Sequence, residues 1–138
     1  MNQDRATELV GAARVARLAT RTPTGRIDLV PITFALVDGR LVTAVDHKPK
    51  TTTHLKRLDN IRANPEVSVL VDEYDDQDWD ALWWVRLRGL AQVVEHGALR
   101  DGAIEGLVAK YPQYREVAPA GAVIAIELVR WQWWSADA

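Results

Sequence analysis

The chain has no cysteine among its 138 residues, which excludes disulfide bonds, thiolate metal sites and a cysteine nucleophile. Serine occurs only at Ser68 and Ser135, and neither lies in the Gly-x-Ser-x-Gly turn that presents a nucleophile. The histidines His47, His54 and His96 are widely separated and form no pair suited to one metal ion. The sequence therefore supports neither a nucleophilic triad nor a metal site, and it assigns no catalytic residue.

Other familiar signals are missing as well. There is no Gly-x-Gly-x-x-Gly turn and no Walker loop, so neither a Rossmann site nor a P-loop is expected. The acidic run 75–80 lacks the central glycine and terminal glutamate of a calcium loop. No apolar run approaches the roughly 18 residues that cross a bilayer, and the first residues do not resemble a secretory signal. We expect a cytoplasmic protein that does not bind a membrane.

The charge balance is close to neutral. The 17 basic and 19 acidic side chains give a formal charge of −2, whereas nucleic-acid binders usually carry a basic face and a high isoelectric point. Hydrophobic residues make up 48% of the chain, as in a globular protein. We expect one domain over residues 1–138 that binds a small molecule and no nucleic acid.

Hydrophobic periodicity and turn residues predict an α+β fold. Pro23 and Gly25 mark one turn and Asp38-Gly39 a hairpin, and Pro31 is a candidate break in the second strand. Because hairpins outnumber crossovers, we expect a six-stranded antiparallel sheet closing into a barrel with flanking helices. Helices are predicted over 3–12, 51–63 and 98–114, and strands over 14–22, 27–37, 40–46, 66–74, 82–95 and 122–135.

The most informative segment is the basic stretch 48–57, at the beginning of the second predicted helix. A helix N-terminus offers unpaired N–H groups and the positive end of the helix dipole, which favour a bound phosphate. Lys50, Thr51, Lys56 and Arg57 lie close to this end, where cations oppose the dipole unless an anion is present. The two interpretations left open are a solvated helix face and a phosphate site.

Six tryptophans in so short a chain are the second unusual feature. They form two groups, Trp79, Trp83 and Trp84, and Trp131, Trp133 and Trp134. In a strand, Trp131 and Trp133 face one way and Trp134 the other. They either fill the core and a dimer interface or form a flat wall against which a planar ring stacks.

Several short segments, taken in order along the chain, resemble those of a known family. The order and spacing of the matching segments resemble the pyridoxamine 5′-phosphate oxidase-like split β-barrel proteins, and within them the actinobacterial flavin/deazaflavin oxidoreductases that use coenzyme F420. The matching segments are Leu18-Ala19-Thr20, Gly25-Arg26, residues 30–34, Lys48-Pro49-Lys50, residues 55–58, Asn60-Ile61, residues 64–72, residues 83–86 and Arg88-Gly89.

The resemblance implies a homodimer with cofactor sites at the subunit interface. It assigns the phosphate of F420 to Lys50, Thr51, Lys56 and Arg57. The strand Val30, Pro31, Ile32 and Thr33 would lie along the cofactor ring with Ala44 and Val45 nearby, and the partner subunit would supply Trp79, Trp83 or Arg86. Hydride transfer between F420 and a small conjugated substrate would then need no protein nucleophile.

Two alternatives stay open beside an F420-dependent oxidoreductase. The same fold could hold FMN, as pyridoxamine phosphate oxidases do. The protein could also bind or store a cofactor without turnover, since no acid or base group is evident. The substrate is not identified by the sequence.

Overall fold

A computed structural model describes residues 1–45 and 52–137, with the backbone alone for 52–55. Within these residues, seven strands form one antiparallel sheet in the order β2-β1-β5-β6-β7-β4-β3. The strands are β1 (Ala16–Arg21), β2 (Ile27–Ile32), β3 (Ala35–Val37), β4 (Arg40–Ala44), β5 (Glu66–Glu73), β6 (Trp83–Val94) and β7 (Val123–Ser135). The helices are α1 (Gln3–Ala12), α2 (Thr52–Ala63), α3 (Ala98–Lys110) and α4 (Pro112–Glu116), with a 3-10 helix at Trp79–Ala81.

The predicted elements are confirmed apart from one strand and one helix. The predicted strand 27–37 is two strands, so the sheet has seven strands rather than six. The break falls at Thr33-Phe34 and not at Pro31, which pairs with Arg17 inside β2. Proline is tolerated there because β2 is an edge strand and its open side needs no N–H donor. The last predicted helix is divided at Tyr111, because Pro112 opens a new helix.

One turn and one register shift within the sheet show why particular residues are needed. Asp38 and Gly39 both have positive φ, 50° and 79°, which is the conformation of a two-residue hairpin between β3 and β4. Gly89 lies at a register shift between β6 and β7, where an added Cβ would collide with the carbonyl oxygen of Glu127. Only glycine fits this close approach, which lets the long β6–β7 ribbon bend.

The core lies on the inner face of the sheet. Val67, Val69 and Val71 of β5 are buried there as the alternation predicts, and Leu58 and Ile61 of α2 pack into the same cluster. A second cluster forms where α3 covers the outer side of β3, β4 and the beginning of β7, around Leu107. Among the described residues no helix is long and apolar enough to cross a membrane.

Candidate functional site

The first candidate site is a cavity of about 240 Å³ between α2 and the β1–β2 hairpin, here called the basic cavity. Because β2 is an edge strand, the cavity lies at an open edge of the sheet. It is lined by Thr20, Asp28, Leu29, Val30, Lys56, Arg57 and Asn60.

Arg57 is the unusual cation of the basic cavity. Its Nε is buried and has no hydrogen-bond partner among the described residues. Burial lowers the pKa of the Arg57 guanidinium from its ordinary value, because removing water disfavours the charged form. Lys56, beside it, is exposed. A buried donor left unpaired costs free energy, so this guanidinium is suited to an anion that completes its hydrogen bonds.

Asn60 fixes α2 to the hairpin. Its side chain is 3% exposed, and its amide nitrogen donates to Thr20 Oγ1 at 3.0 Å and to Asp28 Oδ2 at 2.8 Å. Asn60 lies one helical turn after Lys56 and Arg57 on the same helix. These two bonds therefore hold the α2 cations in place against β1 and β2.

The second candidate site is a cleft of about 360 Å³ on the outer face of the sheet, here called the tryptophan cleft. Trp84 and Trp134 are direct neighbours in the β6–β7 register, and Arg86 stacks over the Trp84 ring at 5.4 Å. The Arg86 guanidinium also donates to Gln132 Oε1 at 3.1 and 2.9 Å. The lining residues are Leu70, Asp72, Glu73, Tyr74, Leu82, Trp83, Trp84, Arg86 and Trp134.

The tryptophans of β7 face as predicted. Trp131 and Trp133 pack against the core, whereas Trp134 is 46% exposed and lines the cleft. Trp79, in the 3-10 helix, is 66% exposed and does not line the tryptophan cleft. Trp131 and Trp133 thus fill the core, Trp84 and Trp134 form a flat outer wall, Trp83 contributes to both, and Trp79 belongs to neither.

The structure brings some of the predicted site residues together and separates others. Val30, Lys56 and Arg57 line the basic cavity, and Trp83 and Arg86 line the tryptophan cleft. Lys50 and Thr51 lie outside the described residues. The other predicted ring contacts, Pro31, Ile32, Thr33, Ala44 and Val45, line neither space.

Those ring contacts have other surroundings. Ile32 and Ala44 are buried in the two core clusters, Pro31 is exposed, and the Val45 N–H donates to the Ala122 carbonyl. The Thr33 hydroxyl lies 2.8 Å from the Tyr114 hydroxyl, and the Thr33 carbonyl accepts from Thr43.

Several lining residues were missed by sequence reasoning. Thr20, Asp28 and Asn60 belong to three different elements, so no local pattern joins them. Asn60 did carry one usable signal, because it is a polar residue between Leu58 and Ile61 of the buried stripe of α2. Glu73, Trp84 and Trp134 lie close together only through the pairing of β5, β6 and β7.

A family model described as pyridoxamine 5′-phosphate oxidase matches residues 3–135. The chain belongs to this family. No curated protein matches the sequence.

Solved structures show the same fold at low identity. A conserved hypothetical protein of Mycobacterium tuberculosis superposes with a TM-score of 0.80 at 22% identity, over 99% of this chain and 86% of the other. A heme binding protein of Mycobacterium smegmatis gives 0.75 at 20% identity, over 94% and 52%. An FAD binding protein of the same organism gives 0.62 at 16% identity, over 97% and 95%. The expected antiparallel split barrel with flanking helices is confirmed.

Proposed function

We propose that this protein is an oxidoreductase that holds coenzyme F420 by its phosphate in the basic cavity. The observation that carries the proposal is the buried Nε of Arg57, which has no hydrogen-bond partner in the part of the chain that the structure describes and lies beside Lys56 at the open edge of β2. A phosphate would complete the hydrogen bonds of the guanidinium, and the exposed lysine would add a second positive charge. Lys50 and Thr51 precede α2 in the sequence and are proposed to join this group.

The other residues of the basic cavity suit the rest of such a cofactor. Asp28 is half-buried there, and a carboxylate beside the cations can accept hydrogen bonds from hydroxyl groups next to a phosphate. Leu29 and Val30 supply apolar surface at the β2 end of the cavity. The cofactor would supply the hydride, while these residues bind and orient it.

FMN is the second candidate cofactor. The family match to pyridoxamine 5′-phosphate oxidase and the likeness to an FAD binding protein favour a flavin. Both candidates carry a phosphate and a flat ring, so the basic cavity alone does not distinguish them. We prefer F420 because of the resemblance to the deazaflavin branch and the paired tryptophan segments.

We also propose that two copies form the working unit. The outer face of the sheet exposes large apolar side chains, with Ile27 at 73%, Leu29 at 67% and Leu90 at 47%. An exposed apolar surface of this kind is typical of an interface. A second copy on this face would bring its Trp79, Trp83 and Arg86 towards the cofactor of the first.

The test is a titration of the purified protein with F420 and, separately, with FMN, followed by ligand fluorescence. We expect dissociation constants in the micromolar range or below for F420, with FMN binding more weakly. Rapid-mixing oxidation of reduced F420 by conjugated acceptors then tests turnover. No binding of either compound would contradict the proposal, and tighter binding of FMN would replace F420 as the cofactor.

A further inference from the structure

The tryptophan cleft has flat aromatic walls that the fold does not need for its core. Trp84 and Trp134 line it from adjacent strands, and Tyr74 stands at its end with 62% of its surface exposed. The inner face of the same two strands is already filled by Val85 and Trp133. Clustered aromatic side chains left in water are typical of a binding surface, and flat walls select a planar ligand.

The charges that face the cleft favour a cation. Asp72 and Glu73 both line it, and Asp72 is paired with Trp84 in the β5–β6 register, so its carboxylate lies on the same outer face as the tryptophans, whereas Glu73 is paired with Trp83 and faces the other way. Within the described part of the chain, the Asp72 carboxylate has one distant ion pair, 3.7 Å from Arg17. Four further aspartates, at positions 75, 76, 78 and 80, follow in the adjoining loop.

Among the described lining residues, the one cation is already engaged. Arg86 donates twice to Gln132 and stacks over Trp84. It therefore shows that a delocalised planar cation is accepted against this tryptophan. The Tyr74 hydroxyl donates to Asp76 and is not available as a donor to an anion.

We propose that the tryptophan cleft binds a planar aromatic cation, of the class of N-alkylated nitrogen heterocycles. Because the cleft and the basic cavity of one copy lie on opposite faces of the sheet, this molecule would be the hydride acceptor for the cofactor held by the second copy. The tryptophan faces attract both the ring and its charge, and the Asp72 carboxylate balances that charge. Naming the ligand a substrate rests on the proposed function, whereas its binding to the cleft does not.

The chemistry of such an acceptor agrees with the residues present. A hydride from the reduced cofactor forms a C–H bond at a ring carbon next to nitrogen, and the C=N⁺ π electrons move onto the nitrogen. The cation becomes a neutral amine, and the oxidised cofactor releases its remaining proton to solvent. Because the acceptor already carries the positive charge, the protein needs no proton donor, in agreement with the lack of an evident acid in the sequence.

The test uses three probes of one shape: N-methylquinolinium, neutral quinoline and quinoline-4-carboxylate. Calorimetry of the cofactor-free protein at pH 7.5 should give an affinity for the cation at least tenfold above that for quinoline, and weaker binding still for the anion. Trp134→Ala and Asp72→Asn should each weaken binding of the cation by tenfold or more. Glu127→Gln removes an exposed carboxylate from another part of β7 and should leave the affinity unchanged.

Equal affinity for the cation and for quinoline would overturn the inference, as would an unchanged affinity in Asp72→Asn. Thermal melting of each variant confirms that it is folded before its affinity is compared. A separate assay follows oxidation of reduced F420 by N-methylquinolinium. Binding without oxidation, in protein shown to bind F420, would overturn the acceptor role alone, whereas failure to bind F420 would count against the proposed function.

Discussion

The basic cavity and the tryptophan cleft show two different ways of building a binding site on one small sheet. The cavity lies on the inner side under α2, and its distinctive group is the half-buried Arg57 guanidinium, whose Nε has no partner among the residues that the structure describes. The cleft lies on the outer side and presents indole faces beside carboxylates. Charge and hydrogen bonds dominate the first site, whereas flat apolar surface dominates the second.

The largest expected effect comes from removing both cations of the basic cavity. Lys56→Ala with Arg57→Ala should weaken binding of F420 about 100-fold, because charge-assisted hydrogen bonds each contribute about 1.5–3 kcal/mol. The measurement is a fluorescence titration of the cofactor. Arg62→Ala is the matched control, since Arg62 lies on the same helix but pairs with Glu95. An equal loss in the control would show that net charge, not the cavity, binds the cofactor.

A smaller effect is expected from Asn60→Ala. Removing its amide leaves Thr20 and Asp28 without their donor and opens a small void, so we expect the free energy of unfolding to fall by about 1–3 kcal/mol. Urea denaturation measures this loss. Cofactor affinity should fall as well, while affinity for the planar cation at the tryptophan cleft should not change. Equal weakening at both sites would contradict the separation of the two regions.

The smallest effect concerns Lys110, a cation that belongs to neither site. Its Nζ is also buried without a hydrogen-bond partner among the described residues, and it lies 3.9 Å from the centre of the Phe34 ring. Burial, and secondly the Arg14 cation, lowers the pKa of Lys110 to about 8. Unlike Arg57, it lines neither the basic cavity nor the tryptophan cleft.

Lys110 should make stability depend on pH. The unfolded chain keeps the ordinary pKa of about 10.4, so between pH 8 and 10 it binds more protons than the folded protein and stability rises with pH. After allowance for solvent screening at this half-exposed group, we expect a rise of about 1 kcal/mol. Denaturation at pH 7 and pH 9.5 should show the rise in the natural protein and not in Lys110→Met. A rise of the same size in both would assign it to another group.

Much of the fold follows from local sequence, and the exception is instructive. Alternation and turn residues predict β1, β4, β5, β6 and β7 to within a few residues. The sequence predicts a break at Pro31, but the break between β2 and β3 lies at Thr33-Phe34 because residues distant in the chain form hydrogen bonds there. The Phe34 N–H donates to the Tyr111 hydroxyl at 3.1 Å, and the Thr33 hydroxyl contacts that of Tyr114. These partners are 77 and 81 residues away in the chain, beyond the reach of a local pattern.

The sites were predictable only in part for the same reason. Lys56 and Arg57 stand out because one helix carries both near its beginning. Asp28 and Asn60 meet only when α2 packs on the hairpin, and Trp84 meets Trp134 only through strand pairing. Residue type and spacing indicate the chemistry of a site, whereas tertiary packing selects which residues share it.

The most direct test of the account compares ligands with and without phosphate in one thermodynamic cycle. The natural protein, Arg57→Ala and Arg62→Ala are each titrated with F420 and with the same deazaflavin chromophore lacking its phosphate. We predict that Arg57→Ala weakens F420 binding at least tenfold and changes the affinity for the phosphate-free compound less than twofold, while Arg62→Ala changes neither. Equal weakening of both ligands by Arg57→Ala would contradict a phosphate anchor at this residue.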